Sequence, residues 1–208
     1  MTRALRGLYA ITPDDDDSAR LLAACEAVLA AGAALLQYRN KPAPPRLRRT
    51  QAAALLAACR RHGVPLIIND EVELAAEIGA DGVHLGRDDG DPTRARDRLG
   101  TTAIIGVSCY DSLERARAAA AAGADYAAFG SFHPSVRKPL APRPPLSLLD
   151  EARALPLATC AIGGITLARA PALLAAGADL LAVIGDLFDA ADTGAAARAY
   201  AALFAVAR

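Results

Sequence analysis

Four times along this chain of 208 residues a helix-like stretch ends in Gly-Ala and a short apolar run comes after it: at Gly32-Ala33, Gly79-Ala80, Gly123-Ala124 and Gly177-Ala178. In the last three an aspartate comes next, Asp81, Asp125 and Asp179. A glycine in that place suits a left-handed helix C-cap. The pairs lie about 44–54 residues apart, roughly two strand–helix units each at the usual size of such units. Eight apolar runs recur along the chain: Leu8–Ile11, Leu35–Tyr38, Leu66–Asn69, Gly82–Leu85, Ile104–Ser108, Tyr126–Phe129, Ala158–Ile162 and Leu180–Ile184. Runs so short and so apolar suit strands buried on both faces, as in a parallel sheet. The stretches 18–31, 46–62, 71–78, 112–122, 146–154 and 167–176 have helical character, with Ser18, Asp111 and Thr166 as N-cap candidates. An open doubly wound sheet would also accept eight strands, but it does not predict an even-strand rhythm. The pattern therefore reads as α/β class, a single (β/α)8 TIM barrel domain over residues 1–208. The proline-rich segments 42–46 and 139–145 read as long strand-to-helix loops, and residues 131–145 are a candidate mobile lid.

Composition narrows the function classes. With 53% hydrophobic residues the chain can bury one substantial core. Its 23 basic residues are balanced by 23 acidic ones, so neither a nucleic-acid surface nor an anionic-membrane surface is expected, and any anion affinity must be local. No apolar run approaches the roughly 20 residues of a membrane span. The opening MTRALRGLYAITPDDDD lacks a signal-peptide core. Cys25, Cys59, Cys109 and Cys160 form no CxxC pair or zinc spacing, which fits buried thiols in a reducing cytoplasm.

Active sites of such barrels sit at the C-terminal ends of the strands. The residues at the end of each apolar run therefore carry the functional signal. The runs end in Thr12-Pro13-Asp14, in Gln37, Arg39 and Lys41, in Asn69-Asp70, in His84 with Arg87-Asp88-Asp89 behind it, in Ser108, in Gly130–Lys138, in Gly163-Gly164 and in Gly185-Asp186. Arg39, Lys41 and Lys138 can neutralise a strongly anionic group. Asp70 and Asp89, with Asp88 as a third candidate, can hold a hard cation such as Mg2+, which takes one or two carboxylates plus substrate phosphates. Two carboxylates facing several cations suggest a metal-bound diphosphate. Gly163-Gly164 and Ile184-Gly185 occupy the common barrel position for a phosphate monoester.

Taken singly, each motif has a purely structural reading. Gln37, Arg39 and Lys41 could be solvated edge residues, Asn69-Asp70 a helix cap, His84 a hydrogen-bonded core histidine, and Gly-Gly a turn. The acidic run Asp14–Asp17 reads as a solvated helix start. Ser108 and Cys109 have no base adjacent in sequence, which argues against a nucleophile. The functional reading rests on all of these falling at one end of one barrel.

Together these residues resemble the thiamine-phosphate synthase family from Leu8 to about Phe188, through LYAIT, LLQYRNK, PLIINDE, GADGVHLGRDD, IIGVSCY, GADYAAFGS and AIGGIT. The resemblance implies a cytoplasmic, Mg2+-dependent barrel transferase of thiamine biosynthesis. It would join 4-amino-2-methyl-5-(diphosphooxymethyl)pyrimidine to thiazole phosphate, or to its carboxylate with loss of CO2, and release diphosphate. Its partners would be these two small molecules, with no nucleic acid, no membrane, and a homodimer left open. Carried over, Gln37, Tyr38, Arg39, Asn40 and Lys41 would bind the pyrimidine diphosphate with Asn69, Ser108 and Lys138. Asp70 and Asp89 would ligate Mg2+. Pro134, Ser135, Val136, Arg137, Gly164, Ile184 and Gly185 would hold the thiazole phosphate, and His84 would be a pocket wall. Arg39, Lys41 and Lys138 would act catalytically, stabilising charge on the leaving diphosphate as a pyrimidine cation forms.

The chain departs from the family pattern at Arg87, where Gln is common, and at Tyr110, where His is frequent. It departs again in PSVRK, which replaces PTxTK, and at Gly185-Asp186, which replaces Ser-Ala. A thiazole tautomerase of the same barrel family is the nearest rival, but it needs no diphosphate or metal site. Another phosphate-handling barrel enzyme would need an acid–base pair, and a precursor-binding barrel would bind without turnover.

Overall fold

The computed structural model describes residues 5–134 and 143–206. Eight parallel strands form a closed barrel in sequence order: β1 Gly7–Ile11, β2 Leu35–Tyr38, β3 Leu66–Asn69, β4 Gly82–Leu85, β5 Ile104–Tyr110, β6 Tyr126–Phe129, β7 Ala158–Ile162 and β8 Leu180–Val183. Closure is made by β8 against β1, in the register Gly7↔Leu180 to Ala10↔Val183. Around it run α1 Ser18–Ala30, α2 Pro45–His62, α3 Val72–Ile78, α4 Pro92–Leu99, α5 Leu113–Ala121, α6 Ser147–Ala152, α7 Ala170–Ala175, the short α8 Gly185–Phe188 and α9 Thr193–Val206. The expected barrel is therefore present, with strand limits within two residues of those read from the apolar runs. The exception that matters is β5. It passes Ser108 through an irregularity and ends at Tyr110, at a φ of 56°.

The N-caps differ in detail from expectation. Asp17, not Ser18, caps α1 by accepting from the N–H groups of Ala19 and Arg20. Ser112, not Asp111, caps α5 through Arg115 N–H. Thr166 starts a turn rather than α7, its carbonyl accepting from Arg169 and Ala170. Helices α4, α8 and α9 lie outside the stretches read as helical. For α4 the reason is plain: of its eight residues only Ala95 is buried, so it carries no apolar stripe, and Asp91 with Pro92 starts it.

The Gly-Ala-Asp repeat has a mechanical role. All four glycines take positive φ, at 93°, 69°, 81° and 105° along the chain, which permits the sharp turn from helix into strand. Each aspartate then joins the strands on either side of its own. Asp81 donates its N–H to Leu66 and accepts the Leu66 N–H on its carboxylate, and its carbonyl accepts from Ile104. Asp125 does the same between Ile105 and Ala158, and Asp179 between Thr159 and Gly7. Three repeats of one device thus tie β3 to β5, β5 to β7 and β7 to β1 at the N-terminal rim. The carboxylates satisfy strand N–H groups that have no neighbour left to pair with.

Alternation sends Tyr9, Ile11, Leu35, Ile67, Ile104, Tyr126, Ala128, Cys160, Leu180 and Ala182 into the barrel, where they form their own apolar cluster. The intervening residues, such as Leu8, Leu36, Ile68, Phe129 and Leu181, pack outward against the helices. Gly106 makes room inside: a Cβ there would lie 1.9 Å from the Tyr126 ring.

Replacing Asp179 with alanine should destabilise the barrel by about 1–3 kcal/mol, because it strands the N–H of fully buried Thr159, whose hydroxyl keeps the Gly177 carbonyl as its acceptor. Urea denaturation followed by circular dichroism measures this, and an unchanged midpoint would show that the carboxylate adds no stability.

Candidate active site

Strand alternation decides which of the expected residues reach the C-terminal mouth. Gln37 points inward, 2% exposed, and its Nε2 donates to the Tyr9 hydroxyl at 2.6 Å. Tyr38, one residue on, points outward. Its hydroxyl donates to Gln51 Oε1 on α2 at 2.9 Å. Asn40 joins the same outer network, its Nδ2 donating to Gln51 Oε1 and to the Asp15 carbonyl, while its own Oδ1 is buried without a partner. Both side chains therefore brace the β2–α2 connection rather than line the barrel interior, although both border the cleft between β2 and β3.

Because β2 ends at Tyr38, Arg39 and Lys41 leave a loop and not one face of a strand. Thr12 pins that loop: its hydroxyl accepts from Arg39 N–H at 2.8 Å and donates to Arg39 C=O at 2.9 Å. The Arg39 guanidinium pairs with Asp14 at 2.9 Å, and Lys41 Nζ pairs with Asp70 at 2.7 Å. Arg39, Lys41, Asn69 and Asp70 border a cleft of about 240 Å3 between the ends of β2 and β3. Asp14 is not the solvated helix-start residue that the acidic run suggests. It holds Arg39 and accepts from Lys41 N–H; its position just after β1 is the signal in the sequence.

Asp70 has a φ of 64°, a region non-glycine residues seldom occupy. The conformation turns its carboxylate toward Lys41 and toward Asp89. Asp89 reaches back to accept Gly86 N–H at 3.0 Å. Its carboxyl is held above the ordinary carboxylate range by partial desolvation and then by Asp70 beside it, with the Gly86 N–H and Lys41 opposing. Two carboxylates thus converge with one ammonium for company, a set of hard oxygen donors suited to a small divalent cation. Among the described residues no group of three or more His, Cys, Asp or Glu side chains gathers as a metal site. Asp88 is not drawn into this set by any contact.

His84 and Ser108 meet in the barrel: His84 Nε2 lies 2.9 Å from Ser108 Oγ, and Nδ1 lies 2.9 Å from the Tyr126 hydroxyl. Neither nearby thiol is poised for chemistry, since burial pushes Cys109 up to about 12 and Cys160 higher still. Behind His84, the Arg87 guanidinium stacks over the Tyr110 ring at 4.9 Å, with Arg115 over the same ring at 5.6 Å. Two of the positions that depart from the family pattern are therefore in contact with each other.

Across the mouth, the backbone after β6 presses on the turn after β7. Phe132 and His133 N–H groups donate to the carbonyls of Ile162 and Gly163 at 3.1 Å. At Gly164, with φ 58°, a Cβ would lie 2.3 Å from the Pro134 carbonyl, so only glycine fits. Arg169 donates to the Gly164 carbonyl at 2.8 Å. The His133 pKa is lowered by burial and then by Arg169 and Arg143, a sign of positive potential on this side. Ile184 and Gly185 lie just beyond the adjacent strand and open α8, where Asp186 accepts from the Tyr200 hydroxyl at 2.6 Å. Arg169, Arg143 and His133 carry no motif that singles them out in the sequence. Ser135, Val136, Arg137 and Lys138 lie outside the described residues, as does most of the candidate lid.

A closed parallel barrel with one cationic–acidic corner and a second, glycine-lined corner flanked by Arg169 and Arg143 is a (β/α)8 TIM barrel with its polar residues gathered at the C-terminal mouth. The particular lineage emerges from comparison with known proteins. The chain matches thiamine monophosphate synthase over residues 8–187, and it belongs to that family. It is 61% identical over 206 residues to the thiamine-phosphate synthase of Azoarcus sp. (strain BH72), covering 99% of this chain and all of that one. It is 58% identical to the thiamine-phosphate synthase of Xanthomonas campestris pv. campestris (strain 8004), with 96% of each covered. Among solved structures, the thiamine phosphate pyrophosphorylase of Pyrococcus furiosus superposes with a TM-score of 0.86 at 30% identity over 98% of both chains.

The raised Asp89 pKa makes a signed prediction. A carboxyl whose folded pKa exceeds its unfolded value costs stability as pH rises through that interval, so neutralising it should help the metal-free fold. Asp89→Asn should raise the metal-free thermal midpoint slightly at pH 7, by less than an internal pair would, because the residue is exposed. Added Mg2+ should then stabilise wild type but not the variant. A lowered midpoint in the metal-free variant would contradict the like-charge account.

Proposed function

We propose that the chain forms thiamine phosphate by joining an aminopyrimidine carried on a diphosphate to a thiazole phosphate, with release of diphosphate, and of CO2 when the thiazole carries a carboxylate. The observation that carries this reading is the convergence of Lys41, Asp70 and Asp89 in one corner of a mouth whose opposite corner offers a glycine turn ringed by Arg169, Arg143 and His133. Two separate anion sites suit two phosphorylated substrates. The family and the full-length relatives support a transferase.

Asp70 and Asp89 would hold Mg2+, which when bound supplies divalent charge against the departing diphosphate. The protein's own residues do the rest. Arg39 gives up its hold on Asp14 to the incoming phosphates, for which a planar guanidinium is well shaped, and Lys41 adds a point charge. As the C–O bond to the diphosphate lengthens, charge builds on the leaving oxygens, and these cations stabilise it more than they stabilise the ground state. The pyrimidine amino group feeds electrons toward its methylene, which stabilises the pyrimidine cation left when diphosphate departs, and the thiazole nitrogen then captures it. Lys138 is assigned the same role as Lys41. No protein nucleophile is needed, in keeping with the protonated, buried thiols. The phosphate anchored near Gly164 and Gly185 holds the thiazole in place for attack.

A tautomerase reading has less support, because it leaves the Lys41–Asp70–Asp89 corner without a task. The four cysteines are buried free thiols, which supports the expectation of a reducing cytoplasm. Among the described residues no helix is long and apolar enough to cross a membrane.

Incubation of the protein with both substrates and Mg2+ should give thiamine phosphate and diphosphate in equal amounts. Isomerised thiazole without a coupled product would overturn the reading in favour of the tautomerase. Arg39→Ala should lower turnover by about 100- to 1000-fold, as loss of a transition-state donor commonly does, while the Michaelis constant for thiazole phosphate stays unchanged. Unchanged turnover with only a raised thiazole Michaelis constant would remove Arg39 from the leaving-group corner.

A further inference from the structure

Gln37 and Ser108 stand on strands three apart, yet they are the two ends of one continuous line of hydrogen bonds through the barrel. Gln37 Nε2 donates to the Tyr9 hydroxyl at 2.6 Å. The Tyr9 and Tyr126 hydroxyls are 2.6 Å apart. Tyr126 reaches His84 Nδ1 at 2.9 Å, and His84 Nε2 reaches Ser108 Oγ at 2.9 Å. The two phenols are at most 1% exposed, Gln37 is 2% exposed and His84 is 8% exposed. The rings are fixed by packing as well: Tyr9 meets Tyr126 edge-on at 89°, and His84 stacks on Tyr126 at 21°, both at 5.6 Å.

A phenol has one hydrogen to give, and a neutral imidazole has one N–H. The line can therefore run in one sense or the other, but not both at once. With the Gln37 amide nitrogen on Tyr9, the Tyr9 hydrogen goes to Tyr126 and the Tyr126 hydrogen goes to His84 Nδ1. His84 must then carry its proton on Nε2 and donate to Ser108. The reverse sense needs His84 protonated on Nδ1, and unless the Gln37 amide also turns over it makes Tyr9 accept from both Gln37 and Tyr126 and leaves the buried Tyr9 hydrogen without an acceptor.

We propose that Tyr9, Tyr126 and His84 are positioning residues whose one-way line of hydrogen bonds sets what the floor of the mouth offers a ligand. In this sense the Gln37 carbonyl oxygen stays outside the line as an acceptor. The Ser108 hydrogen stays outside it as a donor, because the Ser108 oxygen is already receiving from His84. Such a floor selects a ring that presents a donor to one and an acceptor to the other. Given the proposed function, on which this last step rests, that ring is an aminopyrimidine, with its exocyclic amine on Gln37. A pyrimidinone, which carries an oxo group in place of the amine, would set acceptor against acceptor. A buried polar site left mismatched in this way discriminates strongly.

The sense of the line is readable in the free protein. Histidine labelled with 15N gives three side chains to follow, His62, His84 and His133, and His84→Gln assigns the middle one. The expected spectrum has His84 as the Nε2–H tautomer; an Nδ1–H tautomer or fast averaging of the two in wild type overturns the proposal. In Tyr126→Phe the preference for Nε2–H should weaken, and an unchanged spectrum would show that Tyr126 does not set it. Titration calorimetry with the 4-amino and 4-oxo forms of 5-hydroxymethyl-2-methylpyrimidine supplies the ligand side. The wild-type preference for the amino form should fall in Tyr126→Phe by roughly five- to tenfold, the scale of one hydrogen bond, with thiazole phosphate affinity unmoved. An Nε2–H tautomer without any amino preference would leave the line standing and overturn the aminopyrimidine reading. Should Tyr126→Phe fail to fold, the wild-type spectrum and the wild-type preference still decide both points.

Discussion

Eight parallel strands closed into a ring share one interior, and every second side chain has to fit inside it. This limit on space governs the rest of the molecule. Two tyrosines, Tyr9 and Tyr126, occupy the middle, and the interior around them is small: Gly106 has no room for a side chain, while Ala128, Cys160 and Ala182 are modest in volume. Filling a core with tyrosine brings hydroxyls into a place without water, and each must find a partner. The partners lie upward, at Gln37 and His84, so the packing solution of the core becomes the polar floor of the mouth. Burial keeps both phenols well above their ordinary pKa, which keeps them as neutral hydrogen-bonding groups.

The two ends of the barrel answer different demands. At the N-terminal rim, the carboxylates of Asp81, Asp125 and Asp179 are spent on strand N–H groups and serve stability. At the C-terminal rim, Asp70 and Asp89 approach each other, Asp70 adopts a sparsely populated backbone conformation, Arg39 pairs with Asp14 and Lys41 pairs with Asp70. Such an arrangement sets two like charges side by side. The same residue type therefore reads as structural at one end and as functional at the other.

Much of this organisation is legible in the chain itself. The fourfold Gly-Ala rhythm before strands two, four, six and eight points to a closed eight-stranded barrel, whereas the strand staples that three of the repeats add through Asp81, Asp125 and Asp179 are visible only in the fold. The position of Asn69-Asp70, His84 and Gly163-Gly164 at strand ends locates the mouth. What the pattern does not resolve is direction. Gln37, Arg39 and Lys41 look like one face of a strand, yet the strand stops at Tyr38, and Tyr38 and Asn40 turn outward to Gln51 on α2. Nor can local pattern pair Asp14 with Arg39, since their meeting depends on Thr12 bridging β1 to the loop after β2. Tyr9 and Tyr126 are hidden for the opposite reason: inside apolar runs, they read only as core.

Two phosphate sites with distinct chemistry at one mouth are the centre of this functional reading. A crystal structure of the protein with Mg2+, diphosphate and thiamine phosphate tests them directly. The expected result is a metal ion held by Asp70 and Asp89, with Arg39 and Lys41 on the diphosphate oxygens. The phosphate of thiamine phosphate should sit at Gly164 and Gly185, and the pyrimidine amine on the Gln37 carbonyl. Diphosphate seated at Gly164, or a metal ion held without Asp70 and Asp89, would contradict it.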